Sequence, residues 1–329
     1  MSQNPVKARL RRVKALVHIA QDHFYDARRY FVHSQSGRHD LTPAQLQGRL
    51  LQKAHSIEKG LSMPQRRDFF GEPALRQLEQ LIDMYERQGL PEDHISIRKA
   101  RGAIRAYFEA HAGLEIPAKI KRFEVLSSAK DTPEAAEIGT VTLTRAAQNA
   151  AAKGDLESVM RSRRSSRVFA PGAVNPEAIA KAIELAGTTP SVCNRQSNRV
   201  YVVRDAKRKA EMLKLQGGSR GFGEDIDTLL VVAADLSNFR DSRERNQGFV
   251  DGGMFAMSLL LALHQQGLAT CPLNWSAGRK QNQKLLELLG LPPTDLIIMM
   301  IGTGQMPESF KVAASPRRGL DDLMIELAP

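Results

Sequence analysis

Cysteine is nearly absent: Cys193 and Cys271 are the two in 329 residues. That excludes a disulfide framework and fits a reducing compartment. Tryptophan occurs once, and aromatic residues make up 5% of the chain. Such a composition offers few platforms on which bases could stack. No zinc-finger spacing and no Gly-x-Gly-x-x-Gly after a first strand are present, so neither a zinc module nor a Rossmann nucleotide site is supported. No apolar run reaches the roughly 18 residues of a membrane span. The best candidate, Leu296 to Ile301, has the length of a buried strand. The segment Ala15 to Ala20 is too short and too interrupted for a signal-peptide core. The expected location is cytoplasmic.

What is present is ordinary globular material: 42% hydrophobic and 25% charged residues. The length suggests about two domains. The formal charge is +11, compatible with a solvated basic surface or a site for phosphorylated ligands. Residues 1–150 carry 24 basic and 17 acidic side chains, so the charge is concentrated in that half.

The two halves differ in pattern. Leu10, Val13, Leu16, Val17 and Ala20 recur at helical spacing opposite Lys7, Arg11 and Lys14. Further helices are predicted over 42–54, 73–88 and 94–111, the first capped by Thr42-Pro43. A linker is expected at 127–133 and an alanine-rich stretch at 146–152. Beyond it strands alternate with helices: helices near 155–163, 175–186, 206–215, 250–266 and 280–289, and strands at 199–203, 228–234 and 296–302. The domain boundary is placed near residue 150, with an all-α region over 1–150 and an α+β domain over 151–329.

Four segments carry chemistry. Arg161 to Phe169 gathers Arg163, Arg164, Ser165 and Arg167, guanidinium forks and a hydroxyl suited to a phosphate monoester. Pro190-Ser-Val-Cys-Asn-Arg-Gln196 supplies short polar side chains for the edge of a heterocycle, or a turn with Pro, Ser and Asn geometry. Gly267 to Trp275 follows the most apolar helix. Ile301-Gly-Thr-Gly304 closes a buried strand, and Ser315-Pro-Arg-Arg318 adds a second cationic group.

Together, in this order, these segments resemble the nitroreductase family of FMN-dependent oxidoreductases over about 155–327. The resemblance implies a mixed sheet flanked by helices, in an interlocked homodimer with flavin at the interface. It assigns the FMN phosphate to Arg163, Ser165 and Arg167 with Arg164 adjacent, and to Arg318 or Arg317. Pro190, Ser191 and Asn194 would reach flavin across the dimer, and Pro272, Leu273 and Asn274 would lie over the ring. It implies ping-pong hydride transfer from NADH or NADPH through flavin N5 to a small-molecule acceptor: a nitro compound, a quinone or a specific intermediate. No side chain is assigned as catalytic, because the flavin carries the chemistry. Arg195 and Arg199 are guesses for the charge near flavin N1. The sequence departs from the family pattern at Ser197-Asn198, where Pro-Trp is common, and at Asn274, where many members are acidic. Cys193 lies inside the second segment and reads as a small packing residue.

Two alternatives remain open at this point: a flavin-dependent dehydrogenase that does not use NAD(P)H, and an inactive scaffold attached by its basic helices. No nucleic-acid partner and no metal are expected. The acidic and histidine positions His18, Asp22, Asp26, His55 and Glu58 read as polar-face residues. The first helix is expected to dock on the catalytic domain in preference to a membrane surface. The stretch His55 to Pro64 is the most distinctive of the N-terminal half and has no assigned chemistry.

Overall fold

The structure, a computed structural model, describes residues 5–33, 40–127, 138–239 and 241–327. The expected linker at 127–133 lies almost wholly outside them. In chain order come helices α1 (Pro5–His33), α2 (Pro43–Leu61), α3 (Glu72–Arg87), α4 (Ile95–Glu109) and α5 (Ala118–Lys121). Strand β1 (Thr140–Thr144), α6 (Arg145–Ala152), α7 (Leu156–Ser162), α8 (Pro176–Ala186), β2 (Asn198–Val203) and α9 (Ala206–Gln216) follow. The remainder is β3 (Thr228–Asp235), α10 (Gln247–Gln265), β4 (Leu268–Asn274), α11 (Arg279–Leu289), β5 (Asp295–Gln305), β6 (Ser309–Ala313) and α12 (Leu320–Leu323).

These elements form two compact units. One comprises residues 1–36 and 144–308, the other 37–143 and 309–329. A single boundary near 150 does not describe this partition, because the chain crosses it at both ends. Strand β6 returns to pair with β1, and the Ala314 N–H donates to the Gly139 carbonyl at 3.1 Å. At the other end, Asp26 of α1 pairs with Arg245 at 2.6 Å within the sheet-bearing unit. The apolar stripe of α1 does not dock on that unit: Leu10, Val13, Leu16 and Val17 are exposed. Its anchor is polar.

In the sheet-bearing unit the order is β2-β3-β5-β4, and every pair is antiparallel. Among the described residues, an isolated bridge between Ser165 and Thr270 is the one parallel pairing. All eight positions of β3 are buried, as expected of an apolar run in a central strand. Helices α8 and α10 cover one face, packing Ile179, Ala182, Leu259 and Leu263 with Leu230, Val232 and Ile301. Local signals set the helix starts. Asn175 accepts the Glu177 N–H at 2.9 Å ahead of Pro176, and Asp155 accepts the Ser158 N–H at 2.9 Å at the start of α7.

The helical unit is built around Leu46, Leu50, Ile57, Leu75, Leu78, Ile82, Ile97, Ile104 and Tyr107. Helix α2 begins as expected, with Thr42 and Gln45 forming a reciprocal capping box at Pro43. Glu58 corrects the polar-face expectation: its side chain is fully buried and lies 3.4 Å from the buried Lys99 ammonium. A buried carboxylate needs such a partner. His55 presents one nitrogen, Nδ1, both to Glu58 at 3.5 Å and to the Ser315 hydroxyl at 3.1 Å. A nucleophile triad needs its two partners on opposite ring nitrogens, so this cluster is not one.

The same stretch explains Gly60. A Cβ there would sit 2.0 Å from the Phe70 ring, and Phe70 meets Tyr107 edge-on at 5.3 Å. Gly60→Ala therefore sets a helix-propensity gain of about 1 kcal/mol against overpacking of about 3 kcal/mol. The variant is expected to be less stable by about 2 kcal/mol in urea denaturation followed by circular dichroism. Equal or greater stability would contradict the packing described.

Candidate functional site

The segment after α7 is held at successive points on one piece of chain. Helix α7 stops at Ser162, and Arg163 turns to an extended conformation (ψ 124°). The Ser166 N–H donates to the Thr270 carbonyl of β4 at 2.8 Å, and Ser165 is the bridge partner of Thr270. Four residues on, the Ala170 N–H donates to the Gln305 carbonyl at the end of β5 at 2.9 Å. Phe169 lies over Gly304, where a Cβ would come within 2.8 Å of its ring. The first and third segments singled out in the sequence and the Gly-x-Gly of the fourth are thus assembled together. In this structure the Gly-x-Gly serves side-chain packing: Gly304 admits Phe169 and Gly302 admits Ile226.

Within this cradle Arg167 is 8% exposed. Its Nε has no hydrogen-bond partner, and none of the ion pairs among the described residues involves it. Burying a guanidinium without a counter-charge costs several kcal/mol. A guanidinium in this setting can take an anion as its counter-charge. Arg163 is half-buried and Arg164 exposed, the latter bonded to the carbonyls of Arg161 and, at 3.1 Å, Arg163.

Two features on α10 escaped the sequence reading. His264, in the last turn of α10, is buried and shares a 2.8 Å hydrogen bond with the Ser162 hydroxyl through Nε2. Burial, reinforced by Arg163 and Arg164, pushes its pKa down to about 4, so it is neutral near pH 7. Asp251, also buried, accepts the Val192 N–H at 3.2 Å and the Gln247 amide at 2.8 Å. A lone carboxylate inside the apolar run 248–263 was the available signal.

Asp251 thereby holds the 190–196 loop. Cys193, Asn194 and Gln196 all have positive φ, 48°, 54° and 50°, a conformation that non-glycine residues rarely adopt. The Gln196 N–H bonds back to the Ser191 hydroxyl at 2.9 Å. Pro190, Cys193 and Asn194 are exposed, and Ser191 is half-buried. Overdetermined strain of this kind clusters at functional sites.

On β4, Thr270, Pro272 and Asn274 share one face. Asn274 is exposed and Pro272 half-buried, while Leu273, on the other face, is 5% exposed. The Asn274 carbonyl accepts from the Gln216 amide at 3.0 Å. Arg317 and Arg318 are exposed and belong to the helical unit. Arg317 donates to the Ser315 carbonyl at 2.6 Å. Arg195 and Arg199 are already neutralised, contrary to the guess that they supply free charge. Arg195 grips Glu244 at 2.7 and 2.8 Å. Arg199 spans Asp235 at 2.5 Å and Asp295 at 2.8 Å. Among the described residues no group of three or more His, Cys, Asp or Glu converges as a metal site, and no helix is long and apolar enough to cross a membrane.

Comparison with known proteins returns one family. A profile described as the nitroreductase family matches residues 160–219 and 209–305. The FMN reductase [NAD(P)H] of Bacillus subtilis is 29% identical over 143 residues, which is 39% of this chain and 57% of that protein. The chain therefore spans little more than half the length of that relative. A protein of Archaeoglobus fulgidus, provisionally named NADH dehydrogenase/NAD(P)H nitroreductase, is 29% identical over 147 residues, 43% of this chain and 80% of its own. A solved nitroreductase family protein from Streptococcus pneumoniae aligns with 53% of this chain and all of its own, at 21% identity and a TM-score of 0.45.

The neutral His264 predicts acid sensitivity. Its folded pKa lies below the unfolded value of about 6.5, so the unfolded chain takes up the proton first as pH falls. The contribution is fully present above about pH 6.5 and is lost on the way down to about pH 4. At pH 4.5 the loss is about 2 to 3 kcal/mol. His264→Gln should lack this component in urea midpoints measured at pH 7 and 4.5. Identical pH dependence in the two proteins would contradict it.

Proposed function

We infer, from the match of residues 160–305 to the nitroreductase family profile, that this chain is an FMN-dependent oxidoreductase. Its substrates in this reading are a reduced nicotinamide and a small electron acceptor. The observation that carries the reading is Arg167, a buried guanidinium whose Nε is unbonded, in a cradle built by Ser166 and Thr270. A terminal phosphate is the anion that FMN would bring there. The residues present fit that group: Arg163, Ser165 and Arg167 would hold it, with Arg164 at the rim.

Bound FMN would supply a two-electron relay, accepting hydride from NADH or NADPH and passing it to a nitro compound or quinone. The chain's own contribution is binding, orientation and exclusion of water. Backbone at Pro272 and Asn274, continuous with Thr270 on β4, would support one side of the ring. Pro190, Ser191 and Asn194 would approach from a second copy, on a loop that Asp251 holds in shape. Arg317 and Arg318 belong to the helical unit and are carried as phosphate candidates by the family resemblance alone.

A homodimer is part of the proposal. Helix α10 buries one face in the core yet leaves Phe249, Val250, Met254 and Met257 exposed at 51%, 51%, 41% and 39%. Apolar surface in contiguous turns of a core helix is what a partner would cover. Placement in a reducing, cytoplasmic compartment is part of the proposal, supported by the presence of only two cysteines in 329 residues.

Arg167→Ala should weaken FMN binding about ten- to a hundredfold through loss of charge-assisted bonds. Fluorescence titration of flavin measures this, and unchanged affinity removes Arg167 from the site. Met254→Glu is expected to convert a dimer to a monomer in light scattering. A wild-type monomer that retains FMN would overturn the cross-subunit role of the 190–196 loop.

A further inference from the structure

The cradle is one loop laid on one continuous piece of chain. Segment 162–166 touches 264–270 at both ends. At its C-terminal end the Ser166 N–H meets the Thr270 carbonyl at 2.8 Å. At its N-terminal end the Ser162 hydroxyl meets His264 Nε2 at 2.8 Å. The chain between His264 and Thr270 is short and stiff. Gly267 turns it at φ 76°, its N–H bonded to the His264 carbonyl at 2.8 Å. Arg163, Arg164 and Ser165 lie between the two fastenings.

We propose that His264 is a positioning residue of the anion cradle: through Ser162 it fixes the end of α7, and so the direction in which Arg163 to Arg167 present their charges. The proposal rests on the reading of the cradle as the FMN phosphate site. His264 does not touch the anion. It closes the open end of the loop, where Ser162 otherwise has the Val159 carbonyl at 3.3 Å. A hydrogen bond between two side chains, one of them buried, is directional and favours a single geometry. The imidazole also has to be neutral, because an imidazolium would add a third cation beside Arg163 and Arg164 and push the loop outward. Burial on α10 keeps it so. An apolar side chain at 264 would preserve packing and charge but release Ser162.

The test uses the full-length protein, with two readouts. Backbone amide exchange over 162–170, measured without flavin, reports the loop itself. FMN affinity, measured by fluorescence titration, reports its consequence. His264→Ala should speed exchange at Ser166 and weaken FMN about tenfold. His264→Gln, which keeps a hydrogen-bonding amide, should recover most of both. Ser162→Ala removes only a hydroxyl at a half-buried position and should match His264→Ala. The double variant should lose no more than either single one, because both act through one bond. Additive losses, or unchanged exchange in Ser162→Ala, would overturn the proposal. If exchange responds as expected while the wild-type protein binds no FMN, the positioning role stands and the flavin reading falls.

Discussion

A buried cation without a protein counter-charge is the constraint around which the sheet-bearing unit is arranged. Arg167 is 8% exposed and its Nε is unbonded. Nothing about a folded chain favours that condition by itself. It persists because the surroundings determine it several times over. The Ser166 backbone is fastened to Thr270, Ala170 to Gln305, and Phe169 fills the space over Gly304. Each fastening is an ordinary backbone bond or packing contact. Together they hold the guanidinium largely buried, with no ion pair to it among the described residues. The contrast with Arg195 and Arg199 makes the point: both find acidic partners at 2.5 to 2.8 Å, and neither is left for a ligand.

The helical unit solves the opposite problem. Glu58 is fully buried, but Lys99 stands 3.4 Å away and is itself nearly buried. The pair is internally compensated and is read as structural. It sits where β6 returns to β1, so the C-terminal residues 309–329 are drawn into this unit. His55 and Ser315 extend the same polar seam. The distinctive stretch around His55 to Pro64 is therefore accounted for by packing and charge pairing, with Gly60 making room for Phe70.

Local signals were legible in the sequence wherever the deciding contacts are local. The capping of α2 by Thr42 and Pro43, the central strand β3 and the C-terminal glycine of α10 all depend on neighbours within a few residues. So does the gathering of Arg163, Ser165 and Arg167 on one turn. What was not legible depends on distant partners. Strands β1 and β6 are short and lie about 165 residues apart along the chain, and neither carries a strong alternating pattern. Strand β4 contains Pro272, which reads against a strand but is tolerated at an edge. The fate of Arg195 was set by Glu244, 49 residues away. His264 falls inside the helix expected over 250–266, and only the fold brings Ser162 to it.

The central claim is that the cradle at Arg163 to Arg167 serves a flavin that passes electrons from a nicotinamide. The most direct measurement is the visible spectrum of the purified full-length protein, reconstituted with FMN and titrated without oxygen with NADH and then NADPH. The account predicts flavin absorbance that co-purifies or is retained after gel filtration, and that bleaches with one of the two nicotinamides. Protein that retains no FMN at saturation, or whose bound flavin neither nicotinamide bleaches, would contradict it.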